Sequence, residues 1–372
     1  MIHKVTRYNR IIQEIFSYLC PVRFVERNFP PMTHTPKISV LVPVYRVSAF
    51  IERCAHSLFS QTFEDMEYIF VDDASPDDSI GKLEAVAALY PERRDAVRII
   101  RHPYNKGIYA ARRTAFEAAK GIFCISVDSD DYAEPDMAEL MYAEAVRTGA
   151  DIVYSDYYEE TAEGKRFERK VFFSEDKKEA VADVLFASSA LWNKLVKRSL
   201  VDKTTLSDLE NVSMGDDLAF SAKFVYYADK YARVDKSLYH YVRYNTSSIT
   251  ATFSRKNAED MVAVIKNLEV FFSSRPDGAE YEEVLNRFKA LKKIRILRGT
   301  FASKEYMGLY PELKPLIRKM DLPLKSEIIL MLAAYKRRFV LIVFLFVLRC
   351  LNYIKNLRVK NYCLFIPLFL FS

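Results

Sequence analysis

"FCISVDSDDYAEPD", residues 123–136, decides how the rest of the chain is read. Apolar and small residues, Phe123 to Val127, run directly into Asp128, Ser129, Asp130 and Asp131. A short continuous apolar run closed by a polar turn reads as a buried strand. Three carboxylates in four positions repel one another and lose hydration at the strand's end. Two readings stand. One is a turn whose Asp caps the next helix. The other is a Mg²⁺ or Mn²⁺ site, because such cations take carboxylate oxygens and share their remaining positions with substrate phosphates. Asp128 and Asp130, separated by a small Ser, can point to the same side of an extended chain.

Similar runs recur on either side. "KISVLVPVY" (37–45), "MEYIFVDD" (66–73), "AVRIIRH" (96–102) and "ADIVYSD" (150–156) read as strands. Helical patterns lie between them at about 48–60, 78–90, 105–121 and 134–147, the third closed by Gly121 as a C-cap. Alternation of buried strands with helices indicates an α/β fold, a mostly parallel sheet flanked by helices. Polar residues gather where the strands end: Pro43 and Tyr45, Asp72 and Asp73, His102 and Asn105, Asp128 and Asp130. That edge binds ligands in open α/β sheets. Residues 157–250 are less regular, and 257–273 and 280–300 read as helices.

The 372 residues include 50% hydrophobic and 14% aromatic positions, ample for a core. Cys20, Cys54, Cys124, Cys350 and Cys363 are scattered and form no CxxC pair, which argues against a disulfide framework or zinc site and fits a reducing compartment. The net charge is +6, and residues 328–372 alone carry +7 with no acidic residue, leaving −1 for residues 1–327. A basic nucleic-acid-binding face is not the pattern, so no nucleic-acid partner is expected. Residues 1–20 lack the continuous apolar core of a secretory signal. They read as a basic amphipathic helix, at the membrane or packed on the body, or as residues preceding a start at Met32. In the basic tail the longest uncharged run near its start, Phe339–Leu348, is ten residues. It is too short to span a bilayer. The tail therefore lies on a membrane surface, docks on the body or forms a dimer contact.

Neither GxxxxGK[ST] nor GxGxxG occurs, so no glycine cradle holds a nucleotide. A metal-bridged diphosphate remains available. "GDDLAF" (215–220) offers a further pair, Asp216 and Asp217, as helix caps or as a general base.

"ISVLVPVY", "YIFVDDASPDDS", "NKGIYAARRTA", "AKGIFCISVDSDDYAEPD", "LWNKLVKR" and "GDDLAF" occur in this order across residues 37–250. Together they resemble the inverting, bacterial-type glycosyltransferases of family 2, with the nucleotide-diphospho-sugar-binding fold called GT-A. The resemblance implies sugar transfer from a nucleotide-diphospho-sugar, a UDP-sugar foremost, to a glycan or lipid-linked acceptor in cell-surface polysaccharide synthesis. It implies a nucleotide site at Pro43, Tyr45, Asp72, Asp73, Asn105, Gly107, Arg112 and Asp128, with Asp73 on the base or ribose. It implies a metal at Asp128 and Asp130, for which His240 is a further candidate ligand. Asp217 matches the family's catalytic base, with Asp216 in place of the usual Glu. Trp192, Asn193, Lys194 and Arg243 are expected toward the acceptor or diphosphate. Arg46 stands where the family often has Asn.

The organisation this implies is a leader (1–36), a catalytic region (37–250, donor half 37–135 and acceptor half 136–250), a helical extension (251–325) and a membrane-associating tail (326–372). The expected place is cytoplasmic, on the inner face of the membrane. A sugar-phosphate nucleotidyltransferase and a non-catalytic sugar-binding protein are the alternatives. The first usually carries a glycine-rich loop that "VPVYRVSAF" (42–50) lacks, and the intact Asp set argues against the second.

Overall fold

The computed structural model describes residues 34–365 except 172, 205–208, 210–211 and 246–252, with side chains through Leu351. The leader helix expected at residues 4–19 and the apolar end of the tail, 366–372, lie outside the described residues. Contacts divide the chain into two units that interleave in sequence. The first comprises Met1–Val171, Leu191–Thr205 and Asp229–Tyr244; the second comprises Phe172–Ala190, Leu206–Ala228 and Asn245–Ser372.

The first unit is an α/β layer structure. In chain order it runs β1 (Ile38–Val44), α1 (Ile51–Phe59), β2 (Met66–Asp72), α2 (Ser79–Ala87), β3 (Val97–Arg101), α3 (Ile108–Ala118) and β4 (Phe123–Ser126). These four strands lie parallel in the order β3-β2-β1-β4. Every residue of β1, β2 and β4 is buried, which is why each reads as an unbroken apolar run. The chain steps outward from β1 to β3 and then returns to β4 on β1's other side. The loops after β1 and β4 therefore flank a point where strand order reverses, the place where such sheets open a ligand crevice.

Beyond β4 the sheet becomes mixed. β5 (Tyr132–Ala133), α4 (Met137–Thr148), β6 (Ile152–Glu160), β7 (Arg166–Arg169), β8 (Lys194–Lys197), the short α6 (Arg198–Asp202) and β9 (Tyr231–Val242) follow. β8 lies antiparallel between β4 and β6, and β9 pairs parallel with β6 and antiparallel with β5. The strand expected at 150–156 is thus present as β6, but one strand removed from β4. β5, β7, β8 and β9 were not legible as strands. β8 is four residues with Lys at each end, and β9 is broken by exposed Asp235 and Lys236.

Gly121 does not cap the third helix. α3 ends at Ala118, and the N–H of Gly121 donates to Ser39 Oγ at 2.8 Å. A Cβ there would stand 2.6 Å from the backbone nitrogen of Ser39 and 2.8 Å from the carbonyl carbon of Ile38, so glycine is required for close approach to β1. Gly121→Ala should destabilise the protein by roughly 1–3 kcal/mol, the usual cost of overpacking. The urea midpoint measures this, and an unchanged midpoint would show that β1 yields freely.

The second unit is helical among the described residues: α5 (Lys177–Phe186), α7 (Asp216–Tyr227), α8 (Arg255–Ser273), α9 (Glu282–Gly299), α10 (Lys304–Met307), α11 (Leu324–Ala334) and α12 (Arg338–Phe365). α7 packs on α5 and α8. α8 opens with a capping box in which Ser254 and Asn257 satisfy each other's backbone N–H. α8 and α9 are the helices expected at 257–273 and 280–300. No described helix is long and apolar enough to cross a membrane.

Candidate active site

The loops leaving β1 and β2 are braced against each other. Arg46 N donates to Ser75 Oγ (2.8 Å), Val47 N to Ser79 Oγ (3.0 Å) and Ser48 N to Asp77 Oδ2 (3.0 Å). Arg46 has φ 54°, the left-handed region that Asn enters more readily than most residues. Its guanidinium lies 5.2 Å over the ring of half-exposed Tyr45. Pro43 pairs with Val71 inside the sheet.

Asp72 and Asp73 separate in role. Burial raises the Asp72 carboxyl above its ordinary range, and Asp73 adds to this against the N–H of Ser75 and the guanidinium of Arg101. Asp73 is 2% exposed. Its Oδ1 accepts from Lys106 N (2.9 Å) and meets His102 Nδ1 (2.7 Å), while Oδ2 accepts from Gly107 N (2.8 Å). Both oxygens therefore hold the turn at 105–107, where Gly107 has φ 87° and Asn105 Oδ1 also accepts from Gly107 N. In this arrangement both Asp73 oxygens have partners in the turn and in His102. His102, marked in the sequence only as a polar strand end, completes the clamp with Thr114 Oγ1 at 2.9 Å.

At the end of β4 the three carboxylates diverge. Asp131 is buried: Oδ2 accepts from Tyr239 OH (2.8 Å) and Oδ1 from Val242 N (2.8 Å). Burial, then Asp130 and Asp128, push its carboxyl well above the usual range. The Tyr239 hydroxyl also accepts from Asp128 N at 3.0 Å, so one phenol ties the strand end to β9. Asp128 and Asp130 stay half-buried, and Asp128 Oδ1 accepts from Arg112 Nη2 at 2.5 Å. Tyr239→Phe would leave Asp131 Oδ2 without this donor and Asp128 N without this acceptor. It should cost about 1–3 kcal/mol of stability and raise the donor KM more than it lowers kcat. Unfolding and steady-state kinetics together test this, and unchanged values in both would remove Tyr239 from the account.

His240 is placed otherwise than expected. Nε2 lies 2.8 Å from Glu134 Oε1 and Nδ1 2.9 Å from Glu160 Oε1, with the ring stacked on Tyr132 at 4.1 Å. Both ring nitrogens are occupied by carboxylate partners in this arrangement, which leaves neither open to a metal. Trp192, Asn193 and Lys194 are also buried, at odds with an acceptor contact. Trp192 stacks on Tyr239 at 4.5 Å, and Lys194 Nζ donates to Asn193 Oδ1. They back the strand that carries the Asp128–Asp131 support. Arg243 is exposed, 3.5 Å from Glu159.

Among the described residues, no group of three or more His, Cys, Asp or Glu is arranged to hold a metal by itself. Asp128 and Asp130 fit a cation of the Mg²⁺ kind, which binds through one or two carboxylates and completes its shell with waters and substrate phosphates.

In the second unit, Asp216 and Asp217 open α7 after Gly215, which has φ 87°. Asp216 is buried and Asp217 half-buried. Asp217 Oδ1 accepts from Leu218 N (2.7 Å) and Oδ2 from Ser189 Oγ (3.2 Å). Lys292 on α9 couples electrostatically to Asp217, and burial lowers the lysine's own pKa. No sequence signal marks Lys292, a cation in a charged helix.

Comparison with known proteins agrees with this geometry. A model of glycosyl transferase family 2 matches residues 39–205. The putative glycosyltransferase EpsH of Bacillus subtilis (strain 168) is 32% identical over 268 residues, 69% of this chain and 75% of that protein. The glycosyltransferase GlyG of Streptococcus pneumoniae serotype 4 is 29% identical over 241 residues, 61% of this chain and 77% of that protein. The structure of S. aureus TarS 1-349 in complex with UDP-GlcNAc covers 84% of this chain and 91% of its own, with TM-score 0.63 at 17% identity, a likeness of fold. The family match, the identity to EpsH and the fold shared with TarS make this chain a glycosyltransferase of family 2 with the GT-A fold.

Proposed function

We propose that the protein transfers a sugar, with inversion, from a nucleotide-diphospho-sugar to a hydroxyl of a glycan or lipid-linked acceptor in cell-surface polysaccharide synthesis. The observation that carries this is the end of β4, where Asp131 is buried and bonded to Tyr239 and Val242, and Asp128, bonded to Arg112, and Asp130 are both half-buried. A UDP-sugar is the donor we favour, since the fold's likeness to TarS, solved with UDP-GlcNAc, supports it.

Pro43, Tyr45 and Asp72 would line the nucleobase and ribose. Asp73 would hold Asn105 and Gly107 over the nucleotide, and Arg112 would orient Asp128. Asp128 and Asp130 would hold Mg²⁺ or Mn²⁺, which supplies charge stabilisation to the departing diphosphate. The acceptor oxygen attacks the anomeric carbon as the bond to the diphosphate oxygen breaks, and Asp217 takes the acceptor proton. One base suffices, because a single displacement needs no carboxylate nucleophile. The donor half would be residues 37–135 and the acceptor half 136–250, with Arg243 the exposed cation toward the diphosphate or acceptor. The tail's charge supports a peripheral seat on the inner face of the membrane, beside a lipid-linked acceptor.

Hydrolysis across a panel of UDP-, GDP-, dTDP- and CMP-sugars with Mn²⁺ tests the reading. We expect turnover of a UDP-sugar, abolished by EDTA. Turnover of none, or nucleotidyl transfer from a sugar phosphate, would overturn it.

A further inference from the structure

α12 has two apolar faces. Leu341, Leu345 and Leu348 are buried, on the side where the helix packs on α11. At about 100° per residue, Phe339, Val343, Phe346 and Val347 fall on the opposite side. They are exposed, Phe339 to 80% and Phe346 to 58%, with Val340 and Leu351 exposed at the stripe's margin. A contiguous apolar stripe of this kind marks a binding surface.

Charge decides what covers it. Seven Lys and Arg and no acidic residue follow Glu327. Arg338 and Arg349 lie between the two apolar faces, and half-exposed Tyr335 and Phe301 sit close to the helix's start and to Arg349. A second copy on this face would bring two such cationic tails together with no anion between them. An anionic bilayer surface meets both demands, taking an apolar stripe into the headgroup boundary and cations onto the headgroups.

We propose that α12 is an interfacial membrane-binding helix, inserted through Phe339, Val343, Phe346 and Val347 and held by the cations flanking and following them on anionic lipid. This names the residues of the membrane contact in the proposed function and rests on that reading only for its purpose, since binding is measured without any sugar transfer.

The test is sedimentation of the full chain with phosphatidylcholine vesicles, with and without phosphatidylglycerol. The full chain should pellet with the phosphatidylglycerol vesicles, and high salt should weaken pelleting without abolishing it. A variant with Gln at positions 339, 343, 346 and 347 keeps the buried leucines, and its far-UV circular dichroism and urea midpoint should match the parent. Its partition onto vesicles should fall roughly tenfold or more, as loss of four apolar side chains implies. A parent chain that stays in the supernatant, or a folded variant that pellets equally, overturns the proposal. A dimer that the variant dissolves, with vesicle binding unaltered, assigns the stripe to a second copy instead. Lost sugar transfer with intact vesicle binding counts against the proposed function and leaves this inference standing.

Discussion

Asp217→Asn is expected to lower kcat by roughly 10²–10⁴-fold, the range that general-base catalysis contributes, with donor affinity nearly unchanged. The asparagine keeps the shape of the side chain and, through its one amide oxygen, the acceptance from Leu218 N, while an NH2 donor replaces the oxygen that faces Ser189 Oγ and no group remains to take a proton. Burial separates the two candidates. Asp216 is enclosed at the start of α7, whereas Asp217 is half-buried and able to meet a hydroxyl. Single-turnover rates with bound donor make the comparison. If Asp216→Asn is the more damaging, the enclosed carboxylate is the base and α7 opens differently when acceptor binds. A loss confined to KM would show that Asp217 binds acceptor without taking its proton.

Asp130→Ala is expected to reduce metal-dependent turnover by about 10³-fold or more, since an oxygen ligand is worth several kcal/mol of charge stabilisation at the leaving diphosphate. Stability should hold, because Asp130 is half-buried and no core volume is removed. Asp131→Ala should behave oppositely. It vacates the partners of Tyr239 and Val242 and should lower the unfolding midpoint first. Near-normal turnover of Asp130→Ala at saturating Mn²⁺ would remove the metal role. Equal loss of stability in both variants would mean that the three carboxylates are one structural turn.

The parallel half of the sheet was legible because its strands are buried on both faces and so carry continuous apolar runs, as in Ile38–Val44 and Met66–Asp72. Its polar strand ends could be read for the same reason, since each apolar run stops where the crevice begins. The antiparallel half was not legible. Lys194–Lys197 is too short to show a period, and its buried lysine contradicts the usual pattern. The candidate site was legible as residue types at strand ends, but not as a division of labour. Asp128, Asp130 and Asp131 look equivalent in sequence, and only the placement of Tyr239, about 110 residues away, sets Asp131 apart. The same holds for Asp73, whose oxygens are taken by a turn some 33 residues on. The resemblance put Trp192 on the acceptor side, yet three tyrosines, Tyr157, Tyr239 and Tyr241, enclose it. Composition cannot distinguish an aromatic that faces sugar from one that faces tyrosine.

Calorimetric titration of UDP into the full chain, with Mn²⁺ and then with EDTA, and repeated on Asp130→Ala, tests the central claim that the end of β4 binds a metal-bridged nucleoside diphosphate. The account predicts binding in the presence of Mn²⁺ that weakens at least about tenfold in EDTA and is equally weak, with or without Mn²⁺, in Asp130→Ala. UDP binding of one strength in all four titrations would contradict it.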